Sequence, residues 1–220
     1  MGRVIITGAN RGIGLELCRI YAARGQEVIG VCRRSSPELD ALGVQVEAEI
    51  DVADDAAMAR LVARVGGTPV DVLIHNAGIL RRETLDALDL DSIREQFEVN
   101  SLGPLRLTAA LRADLGRGSK VAIITSRMGS IGDNTSGSRY GYRMSKAAVN
   151  MAGVSLSHDM RSAGVAVAIL HPGFVRTGMT GGMGDVDAAE SATGLVARID
   201  GLTLENSGTF WHAKGQVLPW

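Results

Sequence analysis

The stretch RVIITGANRGIG, residues 3–14, decides how this 220-residue chain is read. A Val/Ile-rich run at residues 4–7 enters a glycine-rich turn, and from Ile13 the apolar residues recur with helical spacing. Gly8, Gly12 and Gly14 permit a tight turn and let backbone approach a ligand closely. The N–H groups at the start of the following helix, with the helix dipole, favour an anion such as a pyrophosphate. Asn10, Arg11 and Ile13 complete this loop. The spacing is G-x-x-x-G-x-G rather than G-x-G-x-x-G, and a glycine triplet alone is a weak signal. Its place between a strand and a helix makes it a candidate dinucleotide loop.

Working outward, short Val- and Ile-rich runs recur at residues 27–32, 44–50, 70–75, 120–125 and 165–170. Most are apolar on consecutive positions, as strands buried on both faces of a parallel sheet require. Helical patterns fill residues 13–24, 54–65, 90–114 and 142–163, with another near 188–199; Gly25 and Gly164 stand where helix caps would. Parallel strands need crossovers, so this alternation predicts a doubly wound α/β sheet with helices on both faces, a Rossmann fold, in a single domain over residues 1–220. The tail reads differently, with strand-like residues 209–212 and 216–218 joined by a glycine turn.

Composition narrows the function. Hydrophobic residues are 45% and charged residues 21%, as in a protein with a sizeable core. A net charge of -1 gives no reason to expect nucleic acid or an anionic membrane as partner. No apolar run is long enough for a bilayer and the N-terminus carries no signal-peptide pattern, so a cytoplasmic location is expected. Cys18 and Cys32 are too few for a disulfide framework and read as small buried residues; the four histidines lack metal-ligand spacing, so no metal is expected.

At the end of the second run, where an acid would bind the ribose hydroxyls of NAD, the sequence is VCRR. Arg33 and Arg34, with Arg11 in the loop, favour a 2′-phosphate, hence NADP(H) over NAD(H). A second candidate site is RYGYRMSK, residues 139–146. Residues four apart share a helix face, so Tyr142 can work with Lys146, whereas Tyr140 points elsewhere. A phenol beside an ammonium is expected to ionise more easily, which suits proton transfer.

Taken together, TGANRGIG, HNAG at 75–78, VNSLG around Asn100, TS at 125–126, Y-R-M-S-K and HPG at 171–173 resemble the short-chain dehydrogenase/reductase family, in its order and over nearly the whole chain. The resemblance implies an NADPH-dependent oxidoreductase acting on a small carbonyl or alcohol. It gives Ser126 a hydrogen bond to the substrate oxygen, Tyr142 the proton, Lys146 the nicotinamide ribose and the lowering of the phenol's pKa, and Asn100 a water linking Lys146 to solvent. It further implies cofactor contacts for Asp51 and Val52, for Asn76, Ala77 and Gly78, and for Pro172, Gly173, Val175 and Thr177. Arg127, Met128 and Phe174 are candidates for the substrate wall, and Ser130 is a fallback for Ser126. Family members commonly form homodimers or homotetramers through the helices at 90–114 and 142–163. Three features depart from the pattern: His75 replaces an asparagine, residues 129–138 hold a short insertion, and the segment after Thr177 is short. TSRMGSIGDNTSG and the C-terminal residues look like the C-factor and sniffer-type carbonyl reductases, which keeps a dinucleotide-binding signalling or redox-sensing role as the alternative.

Overall fold

Both the sheet and its crossovers follow from the alternation of apolar runs. The computed structural model, which describes residues 2–220, contains β1 (Arg3–Thr7), α1 (Gly12–Ala23), β2 (Glu27–Val31), α2 (Pro37–Asp40), β3 (Gln45–Glu47), α3 (Asp55–Val65) and β4 (Val72–His75). It continues through α4 (Leu90–Phe97), α5 (Gly103–Ala110), β5 (Lys120–Ile124), α6 (Tyr140–Asp159), β6 (Ala166–His171), α7 (Ala188–Asp200) and β7 (Phe210–His212). The strands form one parallel sheet in the order β3-β2-β1-β4-β5-β6-β7. Strand order therefore reverses between β1 and β4, which opens a crevice at their carboxyl ends.

Alternate residues of each strand feed two cores. Val4 and Ile6 pack with Leu17 of α1 and Leu195 of α7 on one face. Ile5 packs with Leu61, Leu107 and Val149, from α3, α5 and α6, on the other. Burial on both faces is why the strands read as continuous apolar runs.

Several boundaries differ from the sequence expectation. The periodicity over 90–114 predicts one helix; the structure divides it into α4, a π-helical segment Glu98–Leu102, α5 and a 3₁₀ turn Arg112–Asp114. Pro104 explains the break, since it lacks an N–H and its ring crowds the carbonyl of Asn100 four residues earlier. α6 begins at Tyr140 rather than Tyr142, so both tyrosines are helical. The strand expected at 44–50 stops at Glu47, because Glu49 turns the chain with φ 61°. Of the expected C-terminal strand pair only β7 forms. Residues 216–218 make a single antiparallel bridge, Trp211 to Val217. The short α2 is an addition to the sequence expectation: Pro37 stands at the first turn and Ser36 Oγ accepts from Leu39 N at 3.2 Å.

His75 ends β4 as a core residue. Its Nε2 lies 2.8 Å from Thr108 Oγ1 on α5, and burial pushes its pKa down to about 3. The unfolded chain therefore binds a proton near pH 6.5 that the native state refuses, and stability falls as pH drops through the window from 6.5 toward 3. Urea denaturation is expected to show stability falling from pH 6.5 to 5 through this group, by about 1 kcal/mol per pH unit. His75→Asn, which cannot titrate, should have a correspondingly flatter profile; equal slopes in both proteins would refute the assignment.

Candidate active site

A cleft of about 890 Å³ opens where the strand order reverses. The glycine loop is its first wall. Gly8 has φ 69°, and a Cβ there would lie 2.9 Å from Ala77 Cα, so only glycine lets the loop descend onto the turn after β4. Asn76 stitches the two together, its amide nitrogen donating to Thr7 O at 3.0 Å and Gly8 O at 3.1 Å. Thr7 Oγ1 returns the contact by accepting from Asn76 N and Ala77 N, both at 3.1 Å. Gly8, Asn10, Arg11, Gly12 and Ile13 face the cleft. Gly14 lies behind them, and a Cβ there would meet Gly8 O at 2.2 Å.

Arg33 and Arg34 line the far end beside Cys32, exposed and just beyond β2. Arg33 reaches Asp51 at 3.5 Å, and Asp51 and Val52 line the same end. Asn76, Ala77 and Gly78 form the floor, while Pro172 and Thr177 close the opposite rim. Gly173 and Val175 stand back from it. Val175 is buried and bridges to Val186. Arg176, Gly178 and Met179 also line this rim; no motif pointed to them. The arginine-lined end, whose carboxylate Asp51 is paired with Arg33, and the glycine cradle fit a phosphorylated dinucleotide with an extra phosphate on its ribose.

The second wall carries the titratable groups. α6 brings Tyr142 and Lys146 to one face, both buried, and both line the cleft. Lys146 Nζ donates to the carbonyl of Ile124, the last residue of β5, at 2.9 Å. Burial lowers its pKa to about 8. Burial also raises the pKa of the Tyr142 phenol, with the adjacent Ser126 hydroxyl opposing the shift. The expectation that the ammonium lowers the phenol's pKa is therefore corrected here. Nζ sits 5.8 Å from the tyrosine ring centroid and is turned toward the strand, so desolvation dominates.

Ser126 follows β5 in extended backbone, and its Oγ accepts from Met128 N at 3.1 Å, capping the 3₁₀ turn Arg127–Gly129. That turn lies so close to α6 that a Cβ on Gly129 would stand 2.6 Å from the Lys146 carbonyl carbon. Ser130 is buried, and its Oγ accepts from Asp133 N at 3.1 Å. Arg127 pairs with Asp133, Met128 is half-buried, and Phe174 is exposed. Asn100, in the π-helical segment, uses both amide hydrogens, on Ile79 O at 2.9 Å and Ser145 Oγ at 3.0 Å, while its Oδ1 accepts from Ile79 N at 2.8 Å. Ser145, buried and missed by motif reading, donates to the Tyr142 carbonyl at 2.9 Å.

Comparison with known proteins agrees with this arrangement. The short chain dehydrogenase family profile matches residues 3–187. The chain belongs to the short-chain dehydrogenase family. It is therefore an oxidoreductase with the doubly wound fold of that family. Among its relatives is the 1-hydroxy-2-glutathionyl-2-methyl-3-butene dehydrogenase of Rhodococcus sp. (strain AD45), 42% identical over 100% of both chains. The C-signal protein of Myxococcus xanthus is 46% identical over 69% of this chain and 93% of its own. Among solved structures, the NADPH-bound carbonyl reductase from chicken fatty liver superposes with a TM-score of 0.86 at 31% identity, covering 99% of this chain and 98% of that one. Among the described residues, no helix is long and apolar enough to cross a membrane and no cluster of three or more His, Cys, Asp and Glu could hold a metal.

Gly14→Ala tests the glycine cradle of this short-chain dehydrogenase. Its Cβ would overlap the Gly8 carbonyl at 2.2 Å, so thermal denaturation should report a loss of about 1–3 kcal/mol. A melting temperature equal to that of the unaltered protein would mean the loop has room that the structure denies it.

Proposed function

We infer that this chain is an NADP(H)-dependent carbonyl reductase, able to run as an alcohol dehydrogenase, in which residues 1–220 act as one cofactor-binding and catalytic unit. The observation that carries the reading is that Tyr142, with the Ser126 hydroxyl beside its phenol, and Lys146 share a cleft whose other end is lined by Arg33 and Arg34. Gly8 to Ile13, Asp51, Val52, Asn76 to Gly78, Pro172 and Thr177 would hold the dinucleotide, and Gly14, Gly173 and Val175 would support that wall from behind. The NADPH-bound carbonyl reductase is similar over 98% of its length, which supports the choice of cofactor. When bound, the cofactor supplies the hydride.

In this reading the chain's own residues manage the charge that grows on the carbonyl oxygen. The Ser126 hydroxyl and the Tyr142 phenol are paired donors aimed at one oxygen, and the phenol gives up its proton there. A phenol whose pKa is raised by burial remains protonated at neutral pH, as a donor must. Lys146, anchored on Ile124 O, presents a cation beneath the phenol and can bind ribose hydroxyls. Asn100 braces Ile79 against α6, and the second lone pair of Oδ1 is where a water serving Lys146 would bond. Arg127, Met128 and Phe174 would border the substrate. The Rhodococcus relative's name describes an alcohol beside a glutathionyl group, so hydroxy thioethers belong in the substrate panel with aldehydes, ketones and quinones.

The exposed Leu102, Leu105, Met144 and Met151 supply the apolar face through which a homodimer would form. The unpaired, buried Cys18 and Cys32 suit a cytoplasmic protein. A second reading, a dinucleotide-binding signalling protein, is favoured by the C-signal relative.

Tyr142→Phe should lower reductase turnover by about 10²–10⁴-fold while NADPH binding persists. Fluorescence titration should give clear preference for NADPH over NADH, lost in the Arg33→Ala, Arg34→Ala double variant. Equal binding of both nucleotides by the unaltered protein sinks the NADP assignment. Absence of turnover on the whole panel sinks the reductase reading, and a cellular role that survives Tyr142→Phe would favour signalling.

A further inference from the structure

Beside the inferred proton donor lies a buried carboxylate that the chemistry above leaves unused. Glu83, only 2% exposed, belongs to the segment between β4 and α4. One of its oxygens accepts from the Gln96 amide at 2.5 Å and the Ser92 hydroxyl at 2.8 Å. The other accepts from the backbone N–H of Gly141 at 3.4 Å, and the Glu83 main-chain carbonyl accepts from Arg139 N at 2.9 Å. These partners are all neutral. A carboxylate this deep is costly unless its lone pairs are filled and a positive potential faces it. The start of α6, with its free N–H groups and positive dipole end, supplies that potential.

α6 has no cap of its own. Arg139, at the N-cap position, has left-handed backbone with φ 52° and a side chain that does not cap; Ser138 before it also has φ 52°. Consecutive L-residues in that region persist only where their surroundings hold them. Glu83 does so twice, by its carbonyl on Arg139 and its carboxylate on Gly141. Gln96, fully buried, fixes the carboxylate in turn, and its Oε1 accepts from Arg81 N at 3.0 Å. A Cβ on Gly141 would lie 2.4 Å from Gln96 Nε2, so helix and carboxamide meet with no spare room. Tyr142 is the next residue.

We propose that Glu83 is the positioning residue of this site: its carboxylate, locked by Gln96 and Ser92, is the N-cap that α6 lacks and sets where the Tyr142 phenol stands against Ser126. The proposal rests on the reading of Tyr142 as proton donor. A displacement of about 1 Å at a reacting group can cost about 100-fold in rate. The glycine loop and Arg33 belong to the β1 and β2 ends of the cleft, and Lys146, a turn further along α6, is held by Ile124 O, so dinucleotide binding is expected to change much less than turnover.

The test compares the full chain with Glu83→Gln, Glu83→Ala and the exchanged pair Glu83→Gln with Gln96→Glu. Three readouts are needed: kcat for carbonyl reduction, NADPH affinity, and amide hydrogen exchange over residues 139–146. Glu83→Gln should lower kcat about tenfold or more and speed exchange in that segment, with NADPH affinity within about twofold of the unaltered protein. The exchanged pair should recover both kcat and protection. A carboxamide at 83 can still accept from Gly141 while donating to a carboxylate at 96. If Glu83→Ala fails to fold, Glu83→Gln and the exchanged pair decide alone. Unchanged kcat in Glu83→Gln, or an exchanged pair that recovers neither property, overturns the proposal. Should the unaltered protein reduce no carbonyl, the proton-donor reading falls by itself. Hydrogen exchange then judges the cap: faster exchange in Glu83→Gln supports it and unchanged protection overturns it.

Discussion

The amide of Asn76, donating to the carbonyls of Thr7 and Gly8, is the constraint on which the rest of the cleft depends. At the carboxyl ends of β1 and β4 two loops leave the sheet in opposite directions, and their backbone groups would face an open crevice without partners. One side chain satisfies two of those carbonyls, and the Thr7 hydroxyl satisfies two N–H groups in return. Glycine at position 8 is the steric condition for this, because the loop comes within contact distance of Ala77. The chain's own groups thus tie the floor together, which lowers the ordering cost of binding.

Across the cleft the logic is electrostatic. Tyr142 and Lys146 are both taken out of water, and burial moves each toward its neutral form: the phenol's pKa rises and that of the ammonium falls to about 8. Such groups are tolerated because surrounding polar atoms are engaged: Ile124 O takes the ammonium, and Ser145 ties the Tyr142 carbonyl to Asn100. The polar network therefore runs from the end of β5 through α6 to the segment after β4.

Much of this was legible in the chain. The runs of Val and Ile, the glycine loop and the four-residue spacing of Tyr142 and Lys146 are local patterns, and local patterns carry fold class. What escaped reading depends on partners distant in sequence. His75 looks like a replaced turn residue, yet it bonds Thr108 on α5. Glu83 and Gln96 resemble ordinary surface residues of a charged segment, and only the meeting of α4 with the start of α6 buries them. The phenol's raised pKa escaped for the same reason. Proximity along a helix was visible, whereas the depth of burial was not. Pro104 was in plain view, but its effect falls on the carbonyl one turn earlier and interrupts a periodicity that otherwise reads as unbroken.

That interruption acts as a phase shifter. The π-helical turn at Glu98–Leu102 admits one residue more than an α-helical turn would, and one residue corresponds to a rotation of about 100°. α4 can therefore direct Gln96 toward α6, while α5 directs Gly103 onto Val52, where a Cβ would be 3.0 Å away, and leaves Leu105 outside. A straight helix would force a choice between these contacts. The extra residue uncouples the side that packs on the start of α6 from the sides that meet the neighbouring strand end and the solvent, so substitutions can accumulate on one without turning the other.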